Sequence, residues 1–320
     1  MKITTNIEKL VVFSILFFMG TRLGYAQSDP LTTQFMFSKY AINTAFAGGS
    51  ADLNIVSNNR FQWTGLDGAP KTYQLNAETR LDAFNSTWGV GLKVISDEIG
   101  FFNNITYGLG ISKPIKTGFG NLRLGLGINF VNSKLSGEWE VPDGDSYTGS
   151  TSDPLIPQGE HSQITPDFDM GIYLENPRYY VGLSVNHLLA PEVKYEGYES
   201  SYFLARHIYL MGGMNFETGN PLILIKPAIF VKSDMADVQL DLNAIIEYDQ
   251  QFWGGITFRT GSAVSLLLGM ELFSGLKVGY SYDLDLGKFV SFGGSHEVYL
   301  SYAMRLIKRG KKNYKSIRHL

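Results

Sequence analysis

Few residues in this sequence have the types and spacing that catalysis requires. Ser295, His296 and Glu297 are consecutive and together offer a nucleophile, a base and an acid, the groups that a hydrolytic triad combines. Adjacent side chains of a β-strand point to opposite faces, so His296 cannot share a face with both neighbours if a strand has begun there. No GxSxG sequence is present. We expect no catalytic residues, and a lipid-modifying enzyme that uses His296 is the remaining enzymatic alternative.

Metal and cofactor sites are not indicated either. No pair among the five histidines has the spacing of a zinc-binding helix, and Asp143 and Asp145 lack the later ligands of a calcium loop. There is no cysteine, which excludes disulfides and thiolate metal sites. The net charge is −3, so nothing favours nucleic acid as a partner. The histidines are His161, His187, His207, His296 and His319.

The first 26 residues have the layout of a cleaved secretory signal. Lys2 and Lys9 precede an apolar run at residues 10–19, and the small residues Gly24 and Ala26 come just before Gln27. The run is short for a transmembrane helix, and no later segment reaches 18 consecutive apolar residues. We predict a signal peptide at residues 1–26 that is cleaved between Ala26 and Gln27; a buried core helix is the alternative.

The rest of the chain is dominated by a pattern of period two, which is typical of β-strands. Within residues 121–132, Leu, Ile and Phe occupy the even positions from 122 to 130, whereas Asn, Arg and Gly occupy the odd positions from 121 to 129. Gly-x-Gly pairs such as 108–110 and 125–127 lie in or beside strands and open no helix, so they fit a sheet wall and not a phosphate loop. Fourteen strands are predicted, near residues 51–63, 70–81, 86–97, 102–113, 119–134, 166–175, 178–187, 203–217, 222–234, 237–249, 251–260, 263–273, 276–285 and 294–306.

The length and number of the strands indicate a membrane barrel. Most have 10 to 13 residues, whereas strands of soluble proteins average about 5–6 residues. About 10 residues of a tilted strand cross an outer membrane, and bacterial single-chain barrels have an even number of strands. The predicted fold class is all-β: a closed antiparallel transmembrane β-barrel over residues 51–306, preceded by the signal peptide.

The loops and the two faces of the strands agree with this prediction. Connections after even-numbered strands are short, whereas those near 136–165, 188–202 and 286–293 are long. A chain that starts in the periplasm places these long loops outside the cell. The apolar faces are expected to meet lipid, with aromatic girdles that include Trp88, Tyr107, Tyr173, Tyr248, Tyr280, Tyr282, Tyr299 and Tyr302.

The opposite faces carry charges of both signs. A selective pore favours one sign, whereas interleaved acids and bases can pair across a lumen. The mixture therefore predicts a filled or constricted interior. The charged residues of these faces are Glu78, Arg80, Lys93, Arg123, Asp169, Lys226, Asp241, Glu247, Arg259, Glu271, Lys277, Asp283 and Glu297.

Three regions lie outside the strand pattern. Residues 27–50 contain several aromatic and aliphatic side chains without clean alternation, and we predict that this segment packs in the lumen or at the periplasmic mouth. The acidic loop at 136–165 also holds Trp139, which is a candidate for partner contact. Residues 305–320 hold seven Lys or Arg and no acid, so residues 307–320 are predicted to form a basic periplasmic tail, either solvated or a docking peptide.

Six stretches along nearly the whole mature length resemble one family: the PorP/SprF outer-membrane proteins of the type IX secretion and gliding systems of Bacteroidetes. The most specific are NRFQWTGLDGAPKTYQL at 59–75 and the GGSHE…LSY that ends the stretch at 277–302. The others are residues 34–49, 164–193, 206–216 and 252–272. One departure is Asn43-Thr-Ala-Phe-Ala-Gly48, where the family commonly has Asn-Pro-Ala-Tyr-Ala-Gly.

The resemblance implies a non-enzymatic barrel that supports export or surface attachment of a partner, often a large adhesin, with other type IX components as further partners. An outer-membrane channel for small solutes is the alternative function. The resemblance carries over no catalytic residues and no cofactor. It marks motif positions that are possible partner contacts: Arg60, Trp63, Gly65, Gly68, Pro70, Lys71, Gly293, Gly294, Ser295, His296 and Glu297.

Overall fold

The computed structural model describes residues 29–50, 52–137, 159–198, 201–273, 275–286 and 292–304. A short helix, α1 (Lys39–Ile42), and a 3-10 turn, η1 (Thr44–Phe46), precede the strands. The strands are β1 (Leu53–Phe61), β2 (Lys71–Ala83), β3 (Ser86–Ile99), β4 (Phe102–Thr117), β5 (Gly120–Gly137), β6 (Gly159–Glu175), β7 (Tyr179–Asn186), β8 (Glu192–Lys194), β9 (Ser201–Phe203), β10 (His207–Met214), β11 (Phe216–Glu217), β12 (Ile223–Ser233), β13 (Val238–Tyr248), β14 (Phe252–Arg259), β15 (Ala263–Phe273), β16 (Leu276–Asp285) and β17 (Ser295–Met304).

The long strands form one closed antiparallel barrel. Successive strands pair with one another, β10 pairs with both β7 and β12, and β1 pairs with β17 along its whole length. β11 continues the line of β10 after Asn215, and β8 and β9 form a separate hairpin. The barrel therefore has 14 strands, and the predicted all-β fold class is confirmed. Closure through β1 and β17, and through β10 and β12, joins the ends of the described barrel sheet, as a structure in lipid requires.

The outward faces are apolar and the inward faces are polar. In β13, Val238, Leu242 and Ile246 are exposed on the outside, whereas Asp241 and Asn243 are buried in the lumen. The same alternation runs along β5, where Leu124 and Leu126 point outward and Arg123 and Asn129 point inward. Surrounding the outer face with hydrocarbon removes it from water, which is the condition that makes this inverted arrangement stable.

The two ends of the barrel differ in their connections. Tight turns close one end: Phe84-Asn85 and Asp249-Gln250 both have positive φ angles, between 51° and 56°, the conformation of type I′ hairpin turns. The predicted topology places this short-turn end in the periplasm. The other end, the long-loop end, carries the connections 62–70, 138–158, 187–206 and 286–294.

The hairpin of β8 and β9 packs over the barrel at the long-loop end. Val193, Tyr195 and Leu204 form an apolar cluster with Val131 and Leu135, which are inward side chains near the end of β5. The predicted strand at 203–217 therefore begins later than expected, at His207, because the residues before it belong to this covering hairpin and its connection. The cluster closes off part of the long-loop mouth.

The hairpin of β5 and β6 is longer than the sequence indicated. Its strands pair as far as Gly137 and Gly159, so parts of the predicted loop at 136–165 are strand. Lys134 and Glu160 form an ion pair of 2.7 Å on this extension. Both faces of residues 159–164 are largely exposed, so no apolar alternation marks them. The rest of that loop, with Trp139, Asp143 and Asp145, lies outside the described residues.

Pro227 disturbs the pairing of its neighbours but not its own strand. A proline inside a strand predicts a bulge or a break, because proline has no N–H to donate. β12 runs unbroken through Pro227 and stays in register with β13. On its other side, pairing stops between Gly213–Ala228 and Phe216–Ile225. The irregularity therefore separates β10 from β11.

Among the described helices, none is long and apolar enough to cross a membrane.

The lipid-facing surface gives the first prediction. Leu268 is at the middle of β15 and its side chain is 64% exposed on the outer face. We expect Leu268→Arg to lower the free energy of unfolding in lipid vesicles by about 2–4 kcal/mol, the cost of a cation near the bilayer centre. The control Leu268→Ile keeps the apolar surface and leaves stability nearly unchanged. Equal stability of both variants in lipid would contradict the assignment of this face of β15 to the lipid side of the barrel.

Candidate functional site

The two most specific motifs of the sequence meet where the barrel closes. β1 and β17 pair so that Arg60 lies opposite Glu297 and Phe61 opposite His296. Beyond the strands, the Thr64 N–H donates to the Gly294 carbonyl at 3.1 Å, and the Gly65 N–H donates to the Phe292 carbonyl at 2.9 Å. The first hairpin and the last strand of the chain therefore form one structure, which we call the seam.

Glu297 is the centre of the seam on the lumen side. Its carboxylate is fully buried and accepts the N–H groups of Thr33 and Gln34, both at 2.8 Å. It also accepts the side-chain amide of Asn58 at 3.0 Å and faces the Arg60 guanidinium at 3.2 Å. One carboxylate therefore binds both barrel strands of the seam and the segment that precedes the barrel.

Buried charges of alternating sign extend from Glu297 along the lumen wall. Arg60 reaches Asp283 at 2.6 Å, and Arg259 contacts Asp283 at 3.2 Å and Asp241 at 3.1 Å. We call Arg60, Asp241, Arg259, Asp283 and Glu297 the seam network. Each charge has an opposite partner at hydrogen-bonding distance, which offsets the cost of taking these ions out of water. None of these side chains is more than 3% exposed.

The hydroxyl of Thr33 lies inside this network. It donates to Asp283, with oxygens at 3.0 and 3.1 Å, and accepts from Arg60 at 2.9 Å and from Arg259 at 3.1 Å. A neutral hydroxyl with both a donor and two acceptor sites can satisfy ions of both signs at once. The segment before the barrel is therefore part of the network and not only a neighbour of it.

The turn at residues 62–70 is held by backbone contacts at the rim. Trp63 has a φ angle of +41°, which is uncommon for a residue with a bulky side chain. Its N–H donates to the Ser295 hydroxyl at 3.3 Å, and Gln62 donates to the Pro70 carbonyl at 3.0 Å. Gly68, whose φ is +71°, accepts from the Gly100 N–H at 2.9 Å. The turn is thus tied to both neighbouring connections.

Gly293 and Gly294 both have φ angles above +70°, a conformation that glycine adopts without steric cost. A Cβ on Gly294 would also lie 2.7 Å from the Asp283 carbonyl. The two glycines therefore allow the chain to turn into β17 beside the rim. Lys71, by contrast, is exposed at the start of β2, so it is accessible from solution or from the membrane surface.

Ser295, His296 and Glu297 lie on different sides of the barrel wall. Ser295 and Glu297 are buried on the lumen side. His296 lies on the outer side, where its Nδ1 is 2.6 Å from the Tyr280 hydroxyl and its ring centroid is 5.0 Å from that of Tyr282. The three side chains therefore do not assemble into a triad. His296 belongs to an outward aromatic cluster near the long-loop end.

Residues 29–50, which we call the lumen segment, run through the barrel from the long-loop end to the short-turn end. Asp29 lies beside His187, just beyond the end of β7, whereas the Gly48 N–H donates to Glu78 at 2.6 Å near the other end. Phe35 is fully buried and stacks on Phe230 with ring centroids 4.8 Å apart. The segment fills space that an open pore would leave to water.

Asn43 fixes the middle of the lumen segment. Its side-chain oxygen accepts the Ala45 N–H at 2.9 Å and caps η1, while its amide nitrogen donates to the carbonyls of Ile172 and Leu183 at 3.1 and 3.2 Å. The Ser184 hydroxyl donates to the Ile42 carbonyl at 2.9 Å. Asn43 is the first residue of the stretch 43–48. Its side chain uses both its oxygen and its nitrogen in these contacts, which explains why an asparagine suits this position.

Glycines of the wall make room for the lumen segment. A Cβ on Gly89 would lie 2.0 Å from the Ala47 carbonyl oxygen, one on Gly125 2.3 Å from the Ala45 nitrogen, and one on Gly171 2.1 Å from Asn43 Oδ1. These are shorter than any non-bonded contact of a real Cβ. Gly125, which begins the Gly-x-Gly pair at 125–127, is therefore a wall residue, as expected, and the lumen segment leaves no room there for a larger side chain.

Two aromatic residues assigned to the outer girdle lie inside. Tyr173 and Tyr299 are buried in the lumen, where Phe46 packs edge-on against Tyr173 and Phe37 contacts Tyr299. The assignment to the lipid face was wrong because it rested on residue type. Parity would have found them: Tyr173 is an even number of residues from Asp169, and Tyr299 from Glu297.

Lys39 is enclosed by these inner aromatic residues. Its Nζ lies 3.6 Å from the centroid of the Tyr180 ring and donates to the Tyr173 hydroxyl at 3.1 Å. This enclosure takes water away from the charged ammonium group of Lys39. The cation–π contact is a partial replacement for that water.

A second polar cluster holds the start of the lumen segment. The His187 ring lies between Asp167, at 2.6 Å from Nδ1, and Asp29, at 2.9 Å from Nε2. Burial alone would lower the pKa of His187, but the charge of Asp29 and hydrogen bonds to both carboxylates raise it to about 10. The Tyr209 hydroxyl donates to the Asp29 carboxylate, and Lys232 donates to the Asp29 carbonyl.

Two predictions concern the ends of the chain, and the described residues do not include them. The predicted signal peptide at 1–26 and the basic tail at 307–320 lie outside the described residues. Within the described part, no group of three or more His, Asp or Glu side chains is arranged to hold a metal ion.

The seam network gives the second prediction. We expect Glu297→Gln to lower the free energy of unfolding by about 3–5 kcal/mol, because it leaves Arg60 buried without this partner. His296→Ala is the matched control, since it changes the adjacent residue on the outer face and is expected to cost about 1 kcal/mol or less. Urea titration of barrels in vesicles measures both. Similar losses in the two variants would contradict a network that depends on Glu297.

The glycine wall gives the third prediction. Gly125→Ala is expected to destabilise the barrel by about 1–3 kcal/mol through overpacking against the lumen segment, and to increase proteolysis of that segment. Gly118→Ala is the control, since no atom lies within 4 Å of its added Cβ. Urea titration and limited proteolysis in detergent measure the two effects. If Gly125→Ala protects the segment as well as the control does, the packing described here is wrong.

The chain is similar to several solved outer-membrane proteins, at low sequence identity and with TM-scores below 0.5. The Acinetobacter baumannii outer membrane protein Omp33 has 8% identity and a TM-score of 0.47, over 79% of this chain and 98% of Omp33. A deletion mutant of the monoaromatic hydrocarbon channel TodX has 10% identity and a TM-score of 0.49, over 86% and 94%. The KdgM porin has 10% identity and a TM-score of 0.37, over 78% and 98%.

The sequence comparisons give the family. No curated protein sequence matches the chain. The profile of the family described as type IX secretion system membrane protein PorP/SprF matches residues 24–302. This range contains the lumen segment, every barrel strand up to β17 and both halves of the seam. The chain therefore belongs to the PorP/SprF family of type IX secretion system membrane proteins and is a β-barrel of the outer membrane.

Proposed function

We propose that this barrel supports the export or surface attachment of a secreted partner protein, such as a large adhesin, and that it does so by offering a binding surface. The observation that carries the proposal is the occupied lumen. A barrel whose interior is filled acts through its rim and outer wall, whereas a solute channel needs a continuous aqueous path.

The lumen segment contacts several sides of the wall. It reaches β17 through Thr33 and Glu297, and β6 and β7 through Asn43. It also reaches β4, where the Ser112 hydroxyl donates to the Ala47 carbonyl at 2.7 Å. Attachment at separated points around the barrel holds the segment in place in the absence of a ligand. This supports a filled resting state.

The long-loop end offers a suitable surface for a partner. The turn at 62–70 exposes Thr64, Gly65, Asp67 and Gly68, and the contacts of Trp63 and Gly65 to the 292–295 region fix its position. A surface that is ordered before binding loses less conformational entropy when a partner docks. Lys71 is exposed beside this turn. The motif residues Arg60, Ser295 and Glu297 support the turn from within, so we assign them a positioning role.

Planar-bilayer conductance separates this proposal from the small-solute channel. We expect the purified barrel to show no steady open pore. Deletion of residues 29–50 is expected to open one, because that deletion removes the side chains that fill the lumen. A steady conductance of the intact barrel that matches the deletion variant would favour the channel.

Affinity purification from outer membranes, followed by mass spectrometry, tests the partner directly. We expect a large secreted protein to co-purify with the barrel, and expect Asp67→Ala together with Lys71→Ala to reduce its recovery about threefold or more, since a contact worth roughly 0.7 kcal/mol changes binding by that factor. Lys116→Ala with Arg178→Ala, two exposed positions near the short-turn end, is the control pair. Absence of any such protein from the intact barrel's preparation would count against the proposal.

A further inference from the structure

The outer face of the seam carries polar side chains on a surface that is otherwise apolar. Asn58 and Arg60 are buried on the lumen side, so by alternation along β1 the side chains of Ser57 and Asn59 point toward lipid. The Asn59 amide nitrogen donates to the Ser57 hydroxyl at 3.0 Å. Among the described residues, the Asn59 side-chain oxygen has no donor. An amide with an unused acceptor on a lipid-facing wall indicates a ligand.

The register places this polar pair within the apolar band. Ser57 lies opposite Leu75 of β2 and Leu300 of β17, and both leucines are exposed on the outer face. Asn59 lies one step nearer to the long-loop end, and its amide turns away from that end toward Ser57. Water is scarce at this depth, so a polar group there gains from a hydrogen-bonding partner in the membrane.

The polar pair forms the floor of a shallow groove. The side chains of Ser57 and Asn59 are shorter than those of the strands on either side. Tyr73 and Leu75 of β2 border the groove on one side, and Leu300 of β17 borders it on the other. A groove with apolar sides and a polar floor fits an acyl chain that carries an amide, ester or hydroxyl group.

Two basic side chains flank the groove where it reaches the long-loop end. Phe61 pairs with Lys71 of β2 and with His296 of β17, and all three residues are on the outer face. Neighbouring strands are about 5 Å apart, so about 10 Å separate the Cα atoms of Lys71 and His296 across Phe61. A phosphate group above the Phe61 ring lies within reach of both side chains.

Both basic side chains have donors to offer. The Nδ1 atom of His296 faces the Tyr280 hydroxyl at 2.6 Å, which leaves Nε2 for a ligand. Lys71 forms no ion pair within the part of the chain that the structure describes. Glu98, which lies opposite Lys71 in β3, accepts instead from the Asn103 amide at 3.2 Å. An anion at the membrane surface can therefore bind Lys71 and His296 together.

The order of these groups along the wall matches a phosphorylated glycolipid. In such a lipid the sugar carries phosphate at the headgroup level, and the amide and hydroxyl groups of its acyl chains begin just below the sugar. Phe61 and Asn59 are two residues apart on one face, which is about 7 Å along the strand. The long-loop end faces the cell exterior in the predicted topology, so the groove lies in the outer leaflet.

We propose that the outer face of the seam binds a phosphorylated glycolipid of the outer leaflet. Lys71 and His296 donate to a sugar phosphate, an acyl chain lies in the groove, and Asn59 with Ser57 binds the amide or hydroxyl group of that chain. The site joins the first two strands of the barrel to the last one from outside. It is independent of the proposed protein partner.

Native mass spectrometry of the intact barrel tests the proposal, with diphosphoryl lipid A and phosphatidylethanolamine offered together in detergent micelles. We expect the barrel to retain lipid A in preference. Lys71→Gln should lower this retention about fivefold, since a basic residue near an anionic surface contributes about 1 kcal/mol. Lys113→Gln is the matched control, because Lys113 is an outer-face lysine near the short-turn end, 4.4 Å from the Trp88 ring. Equal retention of the two lipids, or equal loss in the two variants, would overturn the proposal.

A second variant separates the groove from the surface charge and from the protein partner. Asn59→Leu keeps Lys71 and the turn at 62–70, so recovery of a protein partner should not change. Its retention of lipid A should fall about threefold, the factor for a polar contact of roughly 0.7 kcal/mol between membrane segments. If Asn59→Leu does not fold, as judged by heat-modifiable gel migration, Ser57→Ala replaces it. Unchanged retention in the variant that folds would contradict the groove, as would displacement of lipid A by inorganic phosphate.

Discussion

The pairing of β1 with β17 is the constraint on which the rest of this structure depends. A sheet in lipid cannot keep an open edge, because its unpaired N–H and C=O groups have no water to bind. The two strands that must meet are the first and the last of the barrel, so closure spans almost the whole chain and has a large entropic cost. The ion pair of Arg60 with Glu297 lies at this contact and adds side-chain specificity to it.

The seam network also explains why the interior is both charged and filled. Arg60, Asp283 and Glu297 are almost completely buried, and ions in such a place are stable only when every partner is present. Thr33 and the backbone N–H groups of Thr33 and Gln34 supply part of that set. The lumen segment therefore completes part of the hydrogen bonding of the wall. An empty lumen would leave Glu297 with fewer donors.

The sequence predicted the strands well because two independent signals agreed. Period-two alternation and turn residues placed most of the fourteen barrel strands, although alternation is weak at 51–63 and 203–217, and the even count matched a closed barrel. Alternation did not predict the strand extension at residues 159–164, because both faces of the sheet are exposed to water there. It also failed when residue type was preferred to parity, as for Tyr173 and Tyr299. The path of the lumen segment was beyond sequence reasoning, because non-repeating contacts such as Asn43 with Ile172 and Leu183 leave no periodic pattern.

The direction of the lumen segment constrains how the barrel assembles. The segment runs from the long-loop end to the short-turn end, and β1 then returns alongside it, so the two form a folded-back pair at the start of the chain. The long-loop mouth is partly covered by the hairpin of β8 and β9, and the turn at 62–70 is tied to residues 292–295. Threading the segment into a finished barrel would require these contacts to open. The last strand brings Glu297 onto Thr33 and Gln34, and it can do so only if they are already inside. Closure of the seam therefore selects chains in which the segment has been enclosed.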